Sequence, residues 1–405
     1  MVAYLTLDRL LAEPNIKNMS VLLRADLNIP IDEQGKARDI SRLTQLIPSL
    51  TALSQAGAKT VILSHFGRPK QDDTIYSLAP IARILAHTLD RDIGFVEACI
   101  GTQAAQFIHN LPAGGIGVLE NTRFHAGETQ NDPAFCRALA SIGQAYVNDA
   151  FSIAHRAHAS VEGIAHLLPA YAGYALAGEL EKLESILQNP ARPLMVAIGG
   201  AKISTKLSLL NRLLEKADIL VIGGGMANNL LAAKNLSIGR SLVEKTMLDE
   251  ARAILNKAET TDCRLILPQD VVIAPELAPC DNPSIIAVEQ MPNDMMILDI
   301  GTKTTQHIKQ AIEESKTFVW NGPLGAFEIP PFGKATHAIA EHAATCTRQG
   351  KLVSVAGGGD TLAALQPAQA QDFTHISTAG GAFLEWLEGK SLAGIKALEQ
   401  THISA

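Results

Sequence analysis

Short apolar runs alternate along the chain with longer segments whose apolar positions recur every three or four residues. That rhythm predicts parallel strands joined by helical crossovers. In the first half the runs are VLLRADLNIP, KTVILSHFGRP, IGFVEA, IGVLENTRF and AYVNDAFS, with helices around Leu43 to Leu53 and Leu78 to Leu89. Each run ends in polar or glycine residues rather than at a hairpin, as a parallel sheet requires. In the second half the rhythm resumes through PLMVAIGG, ADILVIGGGMANN, RLILPQDVVIA, MMILDIG, KTFVWNGPLGAFE, KLVSVAGGGDT and THISTAGGAF. Between the halves, Leu176, Leu180, Leu183 and Leu187 form one stripe, predicting an amphipathic helix over 172–188 that Pro190 and Pro193 terminate. The boundaries expected from this pattern are a first domain at 1–171, an interdomain helix at 172–189 and a second domain at 190–389. A long helix between two domains is a natural lever for hinge closure.

Composition narrows the class. A chain of 405 residues exceeds one ordinary core. Its 47% hydrophobic content, 31 glycines and 4% aromatics suit an α/β protein rich in strand-to-helix turns. A net charge of −7 argues against nucleic acid or an anionic membrane as the main partner. With no long apolar run and no basic, apolar leader, the chain is expected to be soluble and cytoplasmic. Five scattered cysteines outside CxxC spacing are expected to be reduced.

Ligands of parallel sheets bind beyond the carboxyl ends of the strands. Those ends carry Arg24, Asp26 and Asn28 after the first run, His65 and Arg68 after the second, Arg123 after the fourth and Arg156 after the fifth, while Arg42 opens the first helix. Arg24, Asp26 and Asn28 alternate and so are expected to point the same way. Five arginines at one rim of an acidic protein make a local anion site. Asp26 and Asn28 either accept from a ligand hydroxyl or orient the arginines. His155 and His158 lack a third ligand at metal-binding spacing. In the second half, Gly199 and Gly200 break a strand before a helical stripe of Ile203, Leu207, Leu210 and Leu214. Lys202 and Lys206, four apart, are expected to share one side of its first turns. Cations placed there oppose the helix dipole unless an anion is bound. The turn does not match GxxxxGK[ST], and Asn228 breaks GxGxxG after Gly223, Gly224 and Gly225. Repeated glycine turns at one rim suit a nucleotide cleft. Glu328 is placed to accept from ribose hydroxyls, and Asp360 is either a helix N-cap or a ligand to phosphate-bound magnesium.

The stretches RADLNIP, SHFGRP, ENTRFHAGE, VNDAFSIAHRAH, GGAKISTK, IGGGMA, WNGPLGAFE, AGGGDTLAAL and HISTAGGAFLEWLEG run in order from Arg24 to Gly389. In these the chain resembles the phosphoglycerate kinases. The resemblance implies two Rossmann-like parallel-sheet domains facing a cleft, joined by a long helix, with the tail at about 390–405 packed back on the first domain. It implies reversible transfer between 1,3-bisphosphoglycerate and ADP, giving 3-phosphoglycerate and ATP with Mg2+, by a monomer. By motif match, Asp26, Asn28, Arg42, His65, Arg68, Arg123 and Arg156, with Arg24, would hold the phosphoglycerate. Gly200, Lys202, Lys206, Gly224, Gly301, Asn321, Gly322, Pro323, Glu328, Gly357, Gly358, Gly359, Asp360 and Thr361 would hold the nucleotide, Asp360 through the metal. Arg42 and Lys202 would steady the phosphoryl group in transit, with Lys206 on the nucleotide phosphates and Thr378, Gly380 and Gly381 forming the last loop. Two departures stand out: Ala379 replaces a glycine that would be costly to lose if φ must be positive, and Thr302 replaces a common proline. Two other readings are a kinase for a different small acid and a nucleotide-responsive binding protein that has lost turnover.

Overall fold

The computed structural model describes residues 4–32, 36–37, 39–70, 73–365, 367–377 and 379–401. The chain divides into two compact units, one formed by residues 1–181 with 390–405 and the other by residues 182–389.

In the first unit six strands, β1 (Ser20–Arg24), β2 (Lys59–Leu63), β3 (Gly94–Val96), β4 (Ile116–Leu119), β5 (Ala145–Asn148) and β6 (Ala170–Ala172), form one sheet in the order β3-β4-β2-β1-β5-β6. Every pairing is parallel. The register sets Arg24 beside Leu63 on one side and Asn148 on the other, so the residues that follow these strands emerge along one edge. Helix Ser41–Gln55 buries Leu43, Leu46, Leu50 and Leu53 in the same cluster as Val21, Leu23 and Ile62. Its 3.6-residue spacing supplies that stripe. The C-terminal helix Ala393–Thr401 belongs to this unit, and the Gly394 N–H donates to the Ala154 carbonyl at 2.8 Å.

In the second unit, β7 (Leu194–Ile198), β8 (Ile219–Ile222), β9 (Arg264–Ile266), β13 (Thr317–Asn321), β14 (Val353–Gly357) and β15 (His375–Ser377) make a parallel sheet in the order β15-β14-β13-β7-β8-β9. Its core gathers Met195, Val221, Phe318, Trp320, Ile339 and Ala356. One expectation is corrected here. RLILPQDVVIA is two strands, and with MMILDIG it leaves the βα rhythm: β10 (Asp270–Ala274), β11 (Ser284–Ala287) and β12 (Met296–Ile300) form an antiparallel sheet in the order β11-β10-β12. Pro268 follows β9 and cannot donate to a ladder, so the run breaks there.

The stripe at 172–188 forms helix Tyr174–Leu187, with Leu176, Leu180 and Leu183 buried. Its residues 174–181 lie in the first unit and 182–187 in the second.

Candidate functional site

In the first unit the strand ends assemble a charged rim on a buried foundation. Arg24 lies beneath it, 1% exposed. Its Nε donates to Ser160 Oγ at 2.9 Å, and its Nη1 donates to the carbonyls of Ala25 and Leu63. Its Nη2 donates to His65 Nδ1 at 3.1 Å, which makes that nitrogen the acceptor and puts the imidazole proton on Nε2. Burial, then Arg24, Arg123 and Arg156, hold His65 well below its usual range, so it is neutral. Glu128 is wholly buried and accepts from Ser160 N at 3.0 Å and Ser160 Oγ at 2.6 Å. Its charge answers that of Arg24. β1 ends at Arg24, so Asp26 and Asn28 follow outside the strand, Arg24 bonding Ser160 and His65 while Asp26 meets Arg42 and Ser152.

Above this layer, Arg42 donates to the Asn28 carbonyl at 2.8 Å and lies 3.0 Å from Asp26 Oδ2. Asp26 also accepts from Ser152 Oγ and, at 3.1 Å, from the Asn28 N–H. Asp26 thus orients Arg42. Asn28 Oδ1 takes the Gly67 N–H at 2.9 Å, and Arg123 Nη1 donates to the Gly67 carbonyl at 2.5 Å. Arg68, Arg123, Arg156 and His158 line a depression of about 570 Å3 with Phe124 and His125. Burial and the neighbouring arginines lower Arg123 to about 10, and burial with the same cations lowers His158 to about 4. Arg156 Nε is buried without a protein partner. Crowded cations of this kind attract a multiply charged anion.

The second unit builds differently. Lys202 is exposed in extended backbone before the short 3-10 turn Ile203–Thr205, and the α-helix starts only at Leu207. The two lysines therefore do not share the helical face their spacing suggests. Lys206 instead turns back to the strand ends, donating to the Gly199 carbonyl and to Asn321 Oδ1, each at 2.8 Å. Burial lowers it to about 8, and Asp360 acts in the opposite direction. Asn321 passes the connection on through Nδ2 to the Gly357 carbonyl at 2.7 Å. Thr361 Oγ1 donates to that carbonyl at 2.8 Å and accepts the Gly322 N–H at 2.6 Å. Asn321, Gly322, Gly357 and Thr361 are thus the buried frame behind the loops.

In front of the frame lies a cavity of about 280 Å3 lined by Gly200, Gly224, Pro323, Glu328 and Asp360, with apolar walls at Leu242, Leu277 and Leu324. Gly224 has φ of 65°, and a Cβ there would sit 2.9 Å from the Gly200 carbonyl oxygen, so two glycine turns meet backbone to backbone. Gly358, with φ of 100°, turns the chain into helix Gly359–Ala364, and Gly380 packs on it: a Cβ on Gly380 would meet the Gly358 Cα at 3.2 Å. Gly381 is exposed in the first turn of helix Gly380–Leu387, and Thr378 lies outside the described residues. Gly301 packs against the Asp270 carboxylate that caps helix Thr302–Glu314 through the N–H groups of Lys303 and Thr304. Thr302 takes the first helical position without strain. Ala379 has φ of −99°, ordinary for any residue.

Asp360 stands exposed in the first turn of its helix. Among the described residues no group of three or more His, Cys, Asp and Glu side chains gathers as a metal cage. One carboxylate at a phosphate-sized cavity fits a magnesium ion held mainly by substrate phosphates. Three residues of the site escaped the sequence: Glu128, Ser160 and the cavity-lining Asp299. Asp299 is buried, accepts the N–H groups of Ile300 and Ala335, and is raised by burial to about 7. Among the described residues no helix is long and apolar enough to cross a membrane.

Residues 11–390 match the family model "Phosphoglycerate kinase". A phosphoglycerate kinase of Brucella abortus biovar 1 is 52% identical over 396 residues, covering 97% of this chain and 99% of its own. One of a Chelativorans species is 50% identical over 402 residues, 99% of this chain and 100% of its own. Among solved structures, phosphoglycerate kinase from Coxiella burnetii superposes with a TM-score of 0.85 at 37% identity, over 98% of this chain and 99% of that one. The enzyme from Pyrococcus horikoshii gives 0.83 at 29% identity, over 99% and 100%.

Proposed function

The chain belongs to the phosphoglycerate kinase family, whose members are phosphotransferases, and from that premise we propose its reaction in detail. It transfers a phosphoryl group reversibly from 1,3-bisphosphoglycerate to ADP, with Mg2+, as a cytoplasmic monomer serving glycolysis and gluconeogenesis. Arg68, Arg123 and Arg156 bind the phosphate of the three-carbon acid in the depression they line. His65 presents its Nε2–H, Asn28 and Asp26 set the rim, and Arg24 supports it from below. The nucleotide lies against the glycine-walled cavity, its ribose near Glu328. Lys206 and the loop amides around Gly358 and Gly380 face its phosphates, as Thr378 and Gly381 are proposed to do. Asp360 would hold Mg2+ together with the nucleotide phosphates, and the ion would supply charge neutralisation there. Arg42 and Lys202 steady the group in transit.

The observation that carries this reading is a cation set without a base. The rim histidines are held neutral and low, and Arg68, Arg123 and Arg156 line the depression of the first unit. An attacking carboxylate has no proton to remove, so alignment and cationic stabilisation suffice. Acyl phosphate and ATP both hydrolyse if water enters, so the two units close about the connecting helix when both substrates are bound. A coupled assay with ATP, Mg2+ and 3-phosphoglycerate, reading acyl phosphate through its reduction by a dehydrogenase, tests the reaction. Turnover that disappears in Arg42→Ala and Lys202→Ala supports it, and nucleotide binding without turnover moves the reading to another acid or to a nucleotide-binding protein with a preserved cleft.

A further inference from the structure

The connecting helix does not begin on a free end. Asp149, immediately after β5 and 3% exposed, accepts the Ala175 N–H at 2.8 Å and the Leu176 N–H at 3.1 Å through one oxygen, Oδ1. These amides belong to the first turn of helix Tyr174–Leu187 and have no partner within it. A third, Tyr174 N–H, goes to Ser49 Oγ at 3.0 Å. Ser49 is wholly buried in helix Ser41–Gln55, the helix whose second residue is Arg42. The Asp149 N–H in turn donates to the Arg24 carbonyl at 2.9 Å, and the Gly173 N–H to the Asn148 carbonyl at 2.8 Å. Gly173 has no alternative there, since a Cβ would sit 2.3 Å from Asp149 Oδ1. Three residues past Asp149, Ser152 donates to Asp26, the carboxylate that orients Arg42.

The helix that leads into the second unit is therefore capped by the same two segments that carry the anion rim: the end of β5 with its 151–156 loop, and the helix of Arg42. A cap needs only a local Ser, Thr, Asp or Asn just before the helix. Here the capping groups come from 26 and 125 residues away, so the start of the helix is tied to the segments of the rim. Burial raises Asp149 to about 6, against the pull of Ser49 and the Leu176 and Ala175 amides, so near pH 7 it is mainly ionised and complements the helix dipole.

We propose that Asp149, with Ser49, is a positioning residue that couples occupancy of the phosphoglycerate rim to the connecting helix and so to closure. The inference rests on the kinase and closure reading above. Because Asp149 touches neither substrate nor the reacting group in that reading, its loss leaves binding of each substrate alone intact and lowers the closed fraction. Asp149→Ala is expected to lower kcat about tenfold, the scale of a lost helix cap, with both KM values within about twofold. Small-angle scattering of that variant with both ligands is expected to show less contraction than wild type. Asp149→Asn, whose carbonyl oxygen still caps, is expected to recover kcat to within about threefold. Should Asp149→Ala fail to fold, Ser49→Ala carries the test, with kcat about threefold down and KM unchanged.

Wild-type kcat and wild-type contraction in folded Asp149→Ala overturn the coupling. So does a variant whose only change is thermal stability, because a merely structural cap would not split kcat from KM. Absence of turnover or of contraction in the wild type overturns the underlying reading and the coupling with it. Loss confined to the variants supports both.

Discussion

Four arginines stand half-buried or exposed at the rim of the first unit, whereas the strand ends of the second carry two lysines, exposed Lys202 and half-buried Lys206, and a series of glycines. On the first unit an anion would meet side chains. On the second it would meet backbone. The means of support differ accordingly. The arginines are aimed by acids and carbonyls around them: Asp26 and Asn28 hold Arg42, Gly67 holds Arg123, and Glu128 with Ser160 underlies Arg24. The glycine loops are held by a lattice behind them, from Lys206 through Asn321 to Gly357, Thr361 and Gly322. A rim made of side chains tolerates substitution structurally and loses affinity. A rim made of backbone tolerates little where an added Cβ would come within 3 Å of another chain segment, as at Gly199, Gly223, Gly224 and Gly322.

The largest effects are expected at the cations proposed to meet the group in transit and the nucleotide phosphates. Arg42→Ala and Lys206→Ala should each lower turnover on the order of 10²-fold or more, as for loss of a preorganised charge. They should differ in what else changes. Arg42 is a surface-facing end of a bonded pair, so its loss should leave the melting temperature nearly unaltered. Lys206 is the first member of the lattice, so its loss should also loosen the glycine loops, read as faster hydrogen exchange at Gly322 and Gly357. Lys206 titrates at about 8, below its usual value, because burial disfavours its charge. Nucleotide affinity of the free protein should therefore weaken as pH rises through about 8, and Lys206→Ala should flatten that limb. A pair of variants with identical exchange and stability would erase the distinction between the rims.

Next in size is a contrast in backbone tolerance. Gly224→Ala places a side chain at φ of 65°, 2.9 Å from the Gly200 carbonyl oxygen. It should cost about 1–3 kcal/mol and roughly a tenfold loss of nucleotide affinity, measured by denaturation and calorimetry. Arg68→Ala, on an exposed residue, should change stability by less than about 0.5 kcal/mol while weakening phosphoglycerate binding. Glu128→Gln should be the exception on the first unit. It removes the buried charge that answers Arg24 and should destabilise by about 3 kcal/mol without touching a ligand.

How much of this was legible in the sequence follows the same division. Strands β1, β2, β7, β8, β13 and β14 are short apolar runs, and their parallel order follows from glycine or polar endings and helical spacing between them. The antiparallel sheet was not legible, since the runs DVVIA and MILDI are as apolar as buried parallel strands and pairing partners leave no local mark. Arg24, at a strand end, and Arg42, at the start of the first helix, read alike as arginines of one rim. Only the fold shows that one is buried under the other's loop, held by Ser160, 136 residues away. The spacing of Lys202 and Lys206 misled because the first turn is 3-10 and the α-helix begins past both. Asp149 sits in plain view within VNDAFS, yet its capping role depends on a helix that starts a full strand later.

A smaller effect separates the units by pH. Asp299 is raised to about 7 from its usual 3.8 by burial that outweighs the Ala335 and Ile300 amides. A raised carboxyl stabilises the fold fully below the unfolded value and loses that contribution as pH climbs through the folded one. The penalty thus grows between about pH 4 and 7, and the stability of wild type minus Asp299→Asn should fall on the order of 1 kcal/mol or more from pH 5 to pH 8. Phosphoglycerate binding, on the other unit, should ignore the substitution. A stability difference constant with pH would remove Asp299 as the titrating group.

The smallest effect tests the last loop of the second unit, where the backbone rule should fail. Ala379 is buried, 2% exposed, and its φ of −99° lies in the region open to every L-residue. A glycine there gains no conformation the loop uses and frees the unfolded chain, which destabilises by about 0.5–1 kcal/mol. As N-cap of helix Gly380–Leu387, however, glycine is preferred to alanine by a similar amount. The two terms oppose, so Ala379→Gly should shift stability by less than about 0.5 kcal/mol and turnover by less than about twofold. A many-fold rise in turnover would mean that the closed state needs a left-handed residue at this position. The alanine, which the ground-state backbone accommodates without strain, would then be what limits the approach of Gly380 and Gly381 to the phosphoryl group.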